Sequence, residues 1–155
     1  MKLVCVVGPT GCGKTWLGVE LAKMLGGEVV SCDSMQIYRG MVIGTAAPTA
    51  EEMQGIPHHM VGVADPRENY SVARYADDAA KCVDDILSRG RQPVIVGGTG
   101  LYFSALTRGL ADIPPVPVSV RAVIEAEFHS DGEAAFRARL AEADASARVL
   151  TFGVP

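Results

Sequence analysis

Apolar residues recur along this chain with two alternating periods. Residues 3–7, Leu-Val-Cys-Val-Val, form an unbroken apolar run rich in β-branched side chains. Such a run predicts a strand buried on both faces. Residues 8–13 read as a glycine-rich loop. A helix is expected from Lys14, with Leu17, Leu21, Met24 and Leu25 on its apolar face and Gly26 closing it. Residues 28–32 predict a second buried strand, ending at Asp33, and residues 61–64 a short further one. Ser71 suits the N-cap of a helix over 72–89 that stops at Gly90. Its inner face would use Ala76, Ala79, Val83, Ile86 and Leu87. Residues 93–96 predict another strand, followed by Gly97-Gly98-Thr99-Gly100 and a helix. Strands alternating with helices imply an α/β fold built on a parallel sheet with flanking helices.

A proline-rich hinge, Ile113-Pro114-Pro115-Val116-Pro117, ends this pattern. Two short helices are expected beyond it, over 120–128 and 133–142. The organisation read from the sequence is therefore a core over 1–110, a small helical segment over 111–148 and an atypical tail over 149–155.

Composition narrows the class. A length of 155 residues suits one domain on a prior of about 150 residues per domain. With 48% hydrophobic residues, disorder is excluded as the main state. No apolar run reaches the ~18 residues of a membrane span. The start, Met1 to Gly8, does not have the form of a signal peptide, so a cytoplasmic location is expected with no membrane partner. The four cysteines (Cys5, Cys12, Cys32, Cys82) show no C-x-x-C pairing. Cys5, Cys32 and Cys82 are expected as small buried groups and Cys12 as the accessible thiol. The net charge of −4 is uneven. Residues 1–110 carry 10 basic against 11 acidic side chains, and residues 111–155 carry 4 against 7. That balance argues against a surface that coats nucleic acid and leaves room for a local basic groove.

The strongest chemical signal is Gly8-Pro9-Thr10-Gly11-Cys12-Gly13-Lys14-Thr15, a match to G-x-x-x-x-G-K-[ST] between an expected strand and an expected helix. Its glycines let successive backbone N–H groups turn toward an anion, and the helix start adds a partial positive charge. Lys14 supplies a mobile cation for an outer phosphate. The Thr15 hydroxyl suits Mg²⁺. The motif specifies phosphate binding without naming the phosphate ester.

In open parallel sheets, ligands gather at the carboxyl ends of the strands. Asp33 ends the second strand there and suits a proton acceptor, a holder of Mg²⁺ through water, or a turn cap. The strand over 93–96 ends in Gly97-Gly98-Thr99, where a nucleotide hydrolase usually places an aspartate. A threonine there offers a hydroxyl to a leaving oxygen instead.

Several segments, in order, resemble the tRNA dimethylallyltransferase (tRNA isopentenyltransferase) family over roughly 1–148. They are Gly8 to Thr15, Asp33-Ser34-Met35-Gln36-Ile37-Tyr38-Arg39-Gly40-Met41, Gly44-Thr45-Ala46-Ala47-Pro48, Pro57-His58-His59, Tyr70-Ser71 and Gly97-Gly98-Thr99-Gly100-Leu101-Tyr102. The resemblance implies a P-loop NTPase-like fold and transfer of a dimethylallyl group from dimethylallyl diphosphate. The acceptor it implies is N6 of the adenosine just 3′ of the anticodon, in the tRNA anticodon loop. It implies Asp33 as base, Thr99 at the breaking bond, residues 8–15 with Mg²⁺ on the diphosphate, and no protein partner. Asp33, Ser34, Met35, Gln36 and Thr99 would meet a flipped-out adenosine and its neighbours. Arg121 would touch tRNA, unless it is simply a surface helix arginine. The alternative from the motif alone is a small-molecule kinase using ATP.

Two departures stand out. Ala47 lies where the family often has lysine. Family members also run to about twice this length, so the chain reads as an N-terminal part or a shortened form.

The other polar residues have plainer expectations. His58-His59 reads as a loop pair without metal. Asp77, Asp78, Asp84 and Asp85 read as a solvated stripe. Arg67, Arg74 and Arg108 suit either surface charge or RNA backbone contact. Arg137 and Arg139 bear a weak likeness to the spaced arginines of a kinase lid.

Overall fold

The computed structural model describes residues 3–111 and 116–147. The chain divides into two compact units, Met1–Ala111 and Asp112–Pro155. In the first unit, strands β1 (Val4–Val7), β2 (Glu28–Cys32), β3 (His58–His59) and β4 (Pro93–Gly97) form one parallel sheet in the order β1-β4-β2-β3. Helices α1 (Lys14–Leu25), α3 (Val72–Ser88) and α4 (Gly100–Arg108), with the single turn α2 (Ala50–Met53), complete the α/β unit.

β2 and β4 are buried at every position. Alternation sorts their side chains onto two faces. Val29, Val94 and Val96 join Val6 and Ala22 in one core cluster. Val30, Cys32 and Ile95 join Ile37, Tyr75, Ile86 and Tyr102 in the other. Cys32 is buried, Cys5 and Cys82 are half-buried, and Cys12 is exposed. Burial pushes the Cys5, Cys32 and Cys82 thiols up from their ordinary pKa.

Three sequence expectations are corrected. The buried face of α1 is Gly18, Val19 and Ala22, whereas Leu17, Met24 and Leu25 are exposed and Leu21 is only partly covered. Gly18 lies so close to Val96 that a Cβ there would collide with the valine methyl groups. The helix therefore approaches the sheet through its small residues, and its larger ones turn outward.

The short strand expected over 61–64 is instead β3 at His58–His59, paired with Val29 and Val30. Met60 (φ 61°) and Gly62 (φ 62°) break the extended run, and Ala64 keeps only a lone bridge to Tyr38. The histidines are thus strand residues, with His58 Nδ1 on the Ile56 carbonyl at 2.8 Å and His59 Nε2 on Glu28 at 2.7 Å. Burial lowers the His58 pKa.

α3 follows expectation at its start, where Ser71 accepts the Arg74 N–H, and adds Tyr75 to the buried face. Asp77, Asp84 and Asp85 are exposed, as expected, and Asp78 is half-buried. Asp78 accepts the Tyr70 hydroxyl at 2.8 Å, and Asp85 pairs with Arg89. Arg67 bonds Asp65, and Arg74 bonds Glu68 while lying over the Tyr70 ring.

At the start of β2, Glu28 is buried and fully paired. Arg89 reaches its two oxygens at 2.6 and 2.9 Å, Arg91 lies at 3.2 Å, and His59 takes part as well. The Arg89 hydrogen bonds outweigh burial and hold the carboxyl down at about 2. A buried charge is tolerable only when paired in this way.

In the second unit, α5 (Val118–Ala143) is interrupted at Gly132 (φ 80°, ψ 172°), between the two helices expected from the sequence. Phe128 meets Phe136 edge to face at 5.3 Å, and Arg139 lies over Phe136 while pairing with Glu127. Residues 112–115 of the hinge region and the tail 149–155 lie outside the described residues. No helix among the described residues is long and apolar enough to cross a membrane.

Candidate active site

The end of β1 runs directly into the phosphate loop. Gly11 (φ 83°) and Gly13 (φ 82°) adopt left-handed backbone, which glycine reaches without a Cβ clash. Gly13 caps α1, so Lys14 and Thr15 open the helix. The Lys14 ammonium folds back and donates to the Pro9 carbonyl at 2.6 Å.

A cavity of about 390 Å³ opens over this loop. Thr10, Gly11, Gly13, Lys14 and Thr15 line one part of it, and Asp33, Gln36 and the segment 45–47 line another. A second, mainly apolar cavity of about 250 Å³ lies beside it, lined by Val7, Gly8, Pro9, Phe103 and residues 97–100. Gly97 borders both cavities. It must be glycine, because a Cβ there would run into the Cys32 backbone. Cys12 lines neither cavity.

Asp33 uses one oxygen locally. Its Oδ1 accepts the N–H groups of Met35 (2.9 Å) and Gln36 (3.2 Å), capping the turn after β2. Its Oδ2 accepts nothing from the described residues. Both the turn-cap role and an acceptor role are thus available to one side chain.

Thr99 lines the apolar cavity. Its hydroxyl accepts the Ser34 N–H at 2.9 Å and donates to the Ser34 hydroxyl at 3.3 Å. Its own N–H reaches the Cys32 carbonyl at 3.1 Å. The fold therefore joins the ends of β2 and β4, as their register Cys32↔Gly97 requires.

Of the residues singled out from sequence, Lys14, Thr15, Asp33 and Gln36 share one cavity, while Gly8, Pro9 and Thr99 border the adjoining one. Ser34 is tied to Thr99, and Met35 is exposed. Arg121 is exposed on α5, in the separate unit. Among the described residues, no three His, Cys, Asp or Glu side chains gather as a metal site. The hard oxygen donors that line the larger cavity include the Thr15 hydroxyl and the Asp33 and Glu52 carboxylates.

Sequence reasoning missed Ser31, Trp16 and Glu52. Trp16 and Glu52 line the larger cavity. The one available signal was the polar Ser31 inside the apolar run 28–32.

Two family models match the chain: IPP transferase over residues 36–150 and isopentenyl transferase over residues 1–63. The chain belongs to the IPP transferase family. Its relatives include the tRNA dimethylallyltransferase of Phenylobacterium zucineum (strain HLK1), 51% identical over 146 residues, covering 94% of this chain and 48% of that protein. That of Anaeromyxobacter dehalogenans (strain 2CP-C) is 48% identical over 147 residues, covering 95% and 49%.

Among solved structures, the full-length tRNA isopentenylpyrophosphate transferase of Bacillus halodurans superimposes with a TM-score of 0.71 at 47% identity, over 94% of this chain and 48% of that one. A eukaryotic dimethylallyltransferase, described as acting on tRNA, gives 0.69 at 33% identity, over 76% and 30%. The IPP transferase fold is thus the P-loop NTPase-like fold expected from the sequence. The chain spans about half the length of the curated relatives it matches. Membership of this family does not favour the kinase alternative.

Proposed function

We propose that this chain holds the prenyl diphosphate and presents the catalytic base of a tRNA dimethylallyltransferase. The observation that carries this reading is one cavity lined by Lys14, Thr15 and Asp33, joined at Gly97 to an apolar cavity bordered by Thr99. A diphosphate needs the first and a hydrocarbon chain the second. The relatives' names supply the acceptor, a tRNA, and the family resemblance supplies its site, N6 of the adenosine 3′ of the anticodon.

In this reading the backbone N–H groups of residues 8–15 and the Lys14 ammonium receive the diphosphate, with Lys14 leaving the Pro9 carbonyl. The Thr15 hydroxyl provides a hard oxygen donor that would hold Mg²⁺. When bound, Mg²⁺ neutralises charge on the departing diphosphate. The dimethylallyl carbons rest against Val7, Pro9 and Phe103. The adenosine N6 lone pair forms a bond to C1 as the C1–O bond breaks, and the diphosphate leaves with that bonding pair. Asp33 Oδ2, unused by the turn, takes the N6 proton. The Thr99 hydroxyl turns its proton from Ser34 to the leaving oxygen. Asp33, Ser34 and Met35 flank the flipped-out base, and Arg121 is a tRNA backbone contact. The setting for this chemistry is the cytoplasm.

The test compares ligands on the intact 155-residue chain. Trp16, the single tryptophan, lines the larger cavity and reports occupancy by fluorescence. Dimethylallyl diphosphate with Mg²⁺ is expected to change its emission saturably. Tight ATP binding with no response to dimethylallyl diphosphate would overturn the reading.

A further inference from the structure

The wall of the diphosphate cavity at residues 45–47 is held by a relay that begins in the core. Ser31 is a buried polar side chain on β2, 4% exposed. Its hydroxyl donates to Gln36 Oε1 at 3.1 Å. The Ala46 and Thr45 carbonyls only accept, so they fix the Gln36 amide with Nε2 toward them, and Oε1 is left to take the Ser31 proton. With Oε1 turned to Ser31, Nε2 donates to the Ala46 carbonyl at 2.9 Å and lies 3.4 Å from the Thr45 carbonyl.

Both ends of the relay are constrained. The Ser31 carbonyl accepts the buried Tyr75 hydroxyl at 2.9 Å, and the Tyr75 ring stacks on Tyr102 with centroids 4.0 Å apart. At the far end, Ala46 has φ 50°, a left-handed backbone that a residue with a Cβ adopts at a cost. The Thr45 hydroxyl donates to the Met41 carbonyl, and the Gln36 amide is bonded to the carbonyl of the strained residue itself. Thr45, Ala46 and Ala47 then line the same cavity as Lys14 and Thr15.

We propose that Ser31 and Gln36 are positioning residues that set the 45–47 wall of the diphosphate cavity, Ser31 acting by anchoring the Gln36 side chain at its inner end. The Gln36 side chain thereby holds this protein's own backbone. Ser31→Ala removes that anchor and leaves Gln36 Oε1 without its partner. Gln36→Glu keeps an acceptor for Ser31 and places a carboxylate oxygen against two carbonyls. Ser31→Thr retains the hydroxyl. The role in diphosphate binding rests on the functional reading above, whereas the role in ordering the wall does not.

The experiment uses the intact chain, with inorganic pyrophosphate and Mg²⁺ as the probe. ¹⁵N relaxation of residues 45–47 reports the wall, and Trp16 fluorescence reports binding. In Ser31→Ala and Gln36→Glu, order parameters at 45–47 are expected to fall from about 0.85 toward 0.6 or lower. Pyrophosphate affinity is expected to weaken about fivefold, the scale of one lost hydrogen bond. Ser31→Thr is expected to restore both. Unchanged order and affinity in Gln36→Glu, with weakened tRNA binding alone, would overturn the proposal. If Ser31→Ala does not fold, Gln36→Glu decides, since Gln36 is partly exposed. If the unmodified chain binds no pyrophosphate, the diphosphate reading fails, and the order parameters still decide the wall.

Discussion

The Thr99 hydroxyl accepts the Ser34 N–H at 2.9 Å and donates its proton to the Ser34 hydroxyl at 3.3 Å. One side chain thus ties two strand ends that lie 65 residues apart in the chain. The acceptor bond is structural. The weaker donor bond is the one that a leaving oxygen can replace. Thr99→Val is therefore expected to cost about 1 kcal/mol of stability and to lower transfer in a full-length enzyme by about a hundredfold. Ser34→Ala removes the competitor for the proton together with one neighbour of the flipped-out base, and is expected to lower transfer less than Thr99→Val does. Denaturant unfolding and single-turnover rates for the two variants check this.

Asp33 separates its roles between its two oxygens. Asp33→Asn keeps an oxygen for the Met35 and Gln36 N–H groups, so stability is expected to change by less than about 1 kcal/mol. Transfer in the full-length context is expected to fall by at least about a hundredfold, as for loss of a general base. Asp33→Ala loses the cap as well and is expected to be the less stable of the two. Retained turnover in Asp33→Asn would remove Asp33 as the base.

Gly18 sets the approach of α1 to the sheet. Gly18→Ala gains helix propensity of about 1 kcal/mol, but its methyl meets Val96 in a rigid buried strand. The net expectation is a loss of about 1–2 kcal/mol. Val96→Ala opens space at that point, so the double variant is expected to be less destabilised than the sum of the two single changes. Urea unfolding of the four proteins measures this coupling.

Glu28 makes stability depend on pH in acid. Its carboxyl is held at about 2 in the folded state against 4.5 ordinarily, chiefly by the Arg89 hydrogen bonds. The folded state therefore binds this proton less readily than the unfolded chain does. The stabilisation is complete above pH 4.5 and is lost as pH falls from there toward 2. Its full size is roughly 3 kcal/mol. Chemical denaturation across that range checks it against Glu28→Gln, which is expected to be less stable at neutral pH and to show a correspondingly flatter acid limb.

Much of the site could be read directly from residue order. The phosphate loop has a spacing characteristic of a strand–loop–helix turn, and Gly11 and Gly13 in it carry positive φ. Asp33 and Thr99 were legible as strand-end residues because a parallel sheet brings its carboxyl ends to one side. The committed state of Gln36 was not legible. Its partners are a hydroxyl five residues before it and carbonyls nine and ten residues after it. No apolar period reports such bonds. The α1 face was misread for a related reason. Spacing ranks positions by hydrophobicity, but the close fit against Val96 selected the smallest residues on the helix.

The amino-acid sequence by itself determined the alternation of strands and helices, the break at Gly132, the phosphate loop and the family. Each of these is written in neighbouring residues or in a short fixed spacing. Only the tertiary structure decided which face of α1 is buried, that His58 and His59 form a strand, and that Glu28 is matched by Arg89 across 61 residues. It also decided that Ser31, Gln36 and Thr99 spend their hydrogen bonds on the protein's own frame. Those outcomes depend on distances between atoms brought together by packing, and the local pattern of apolar and polar positions carries no record of them.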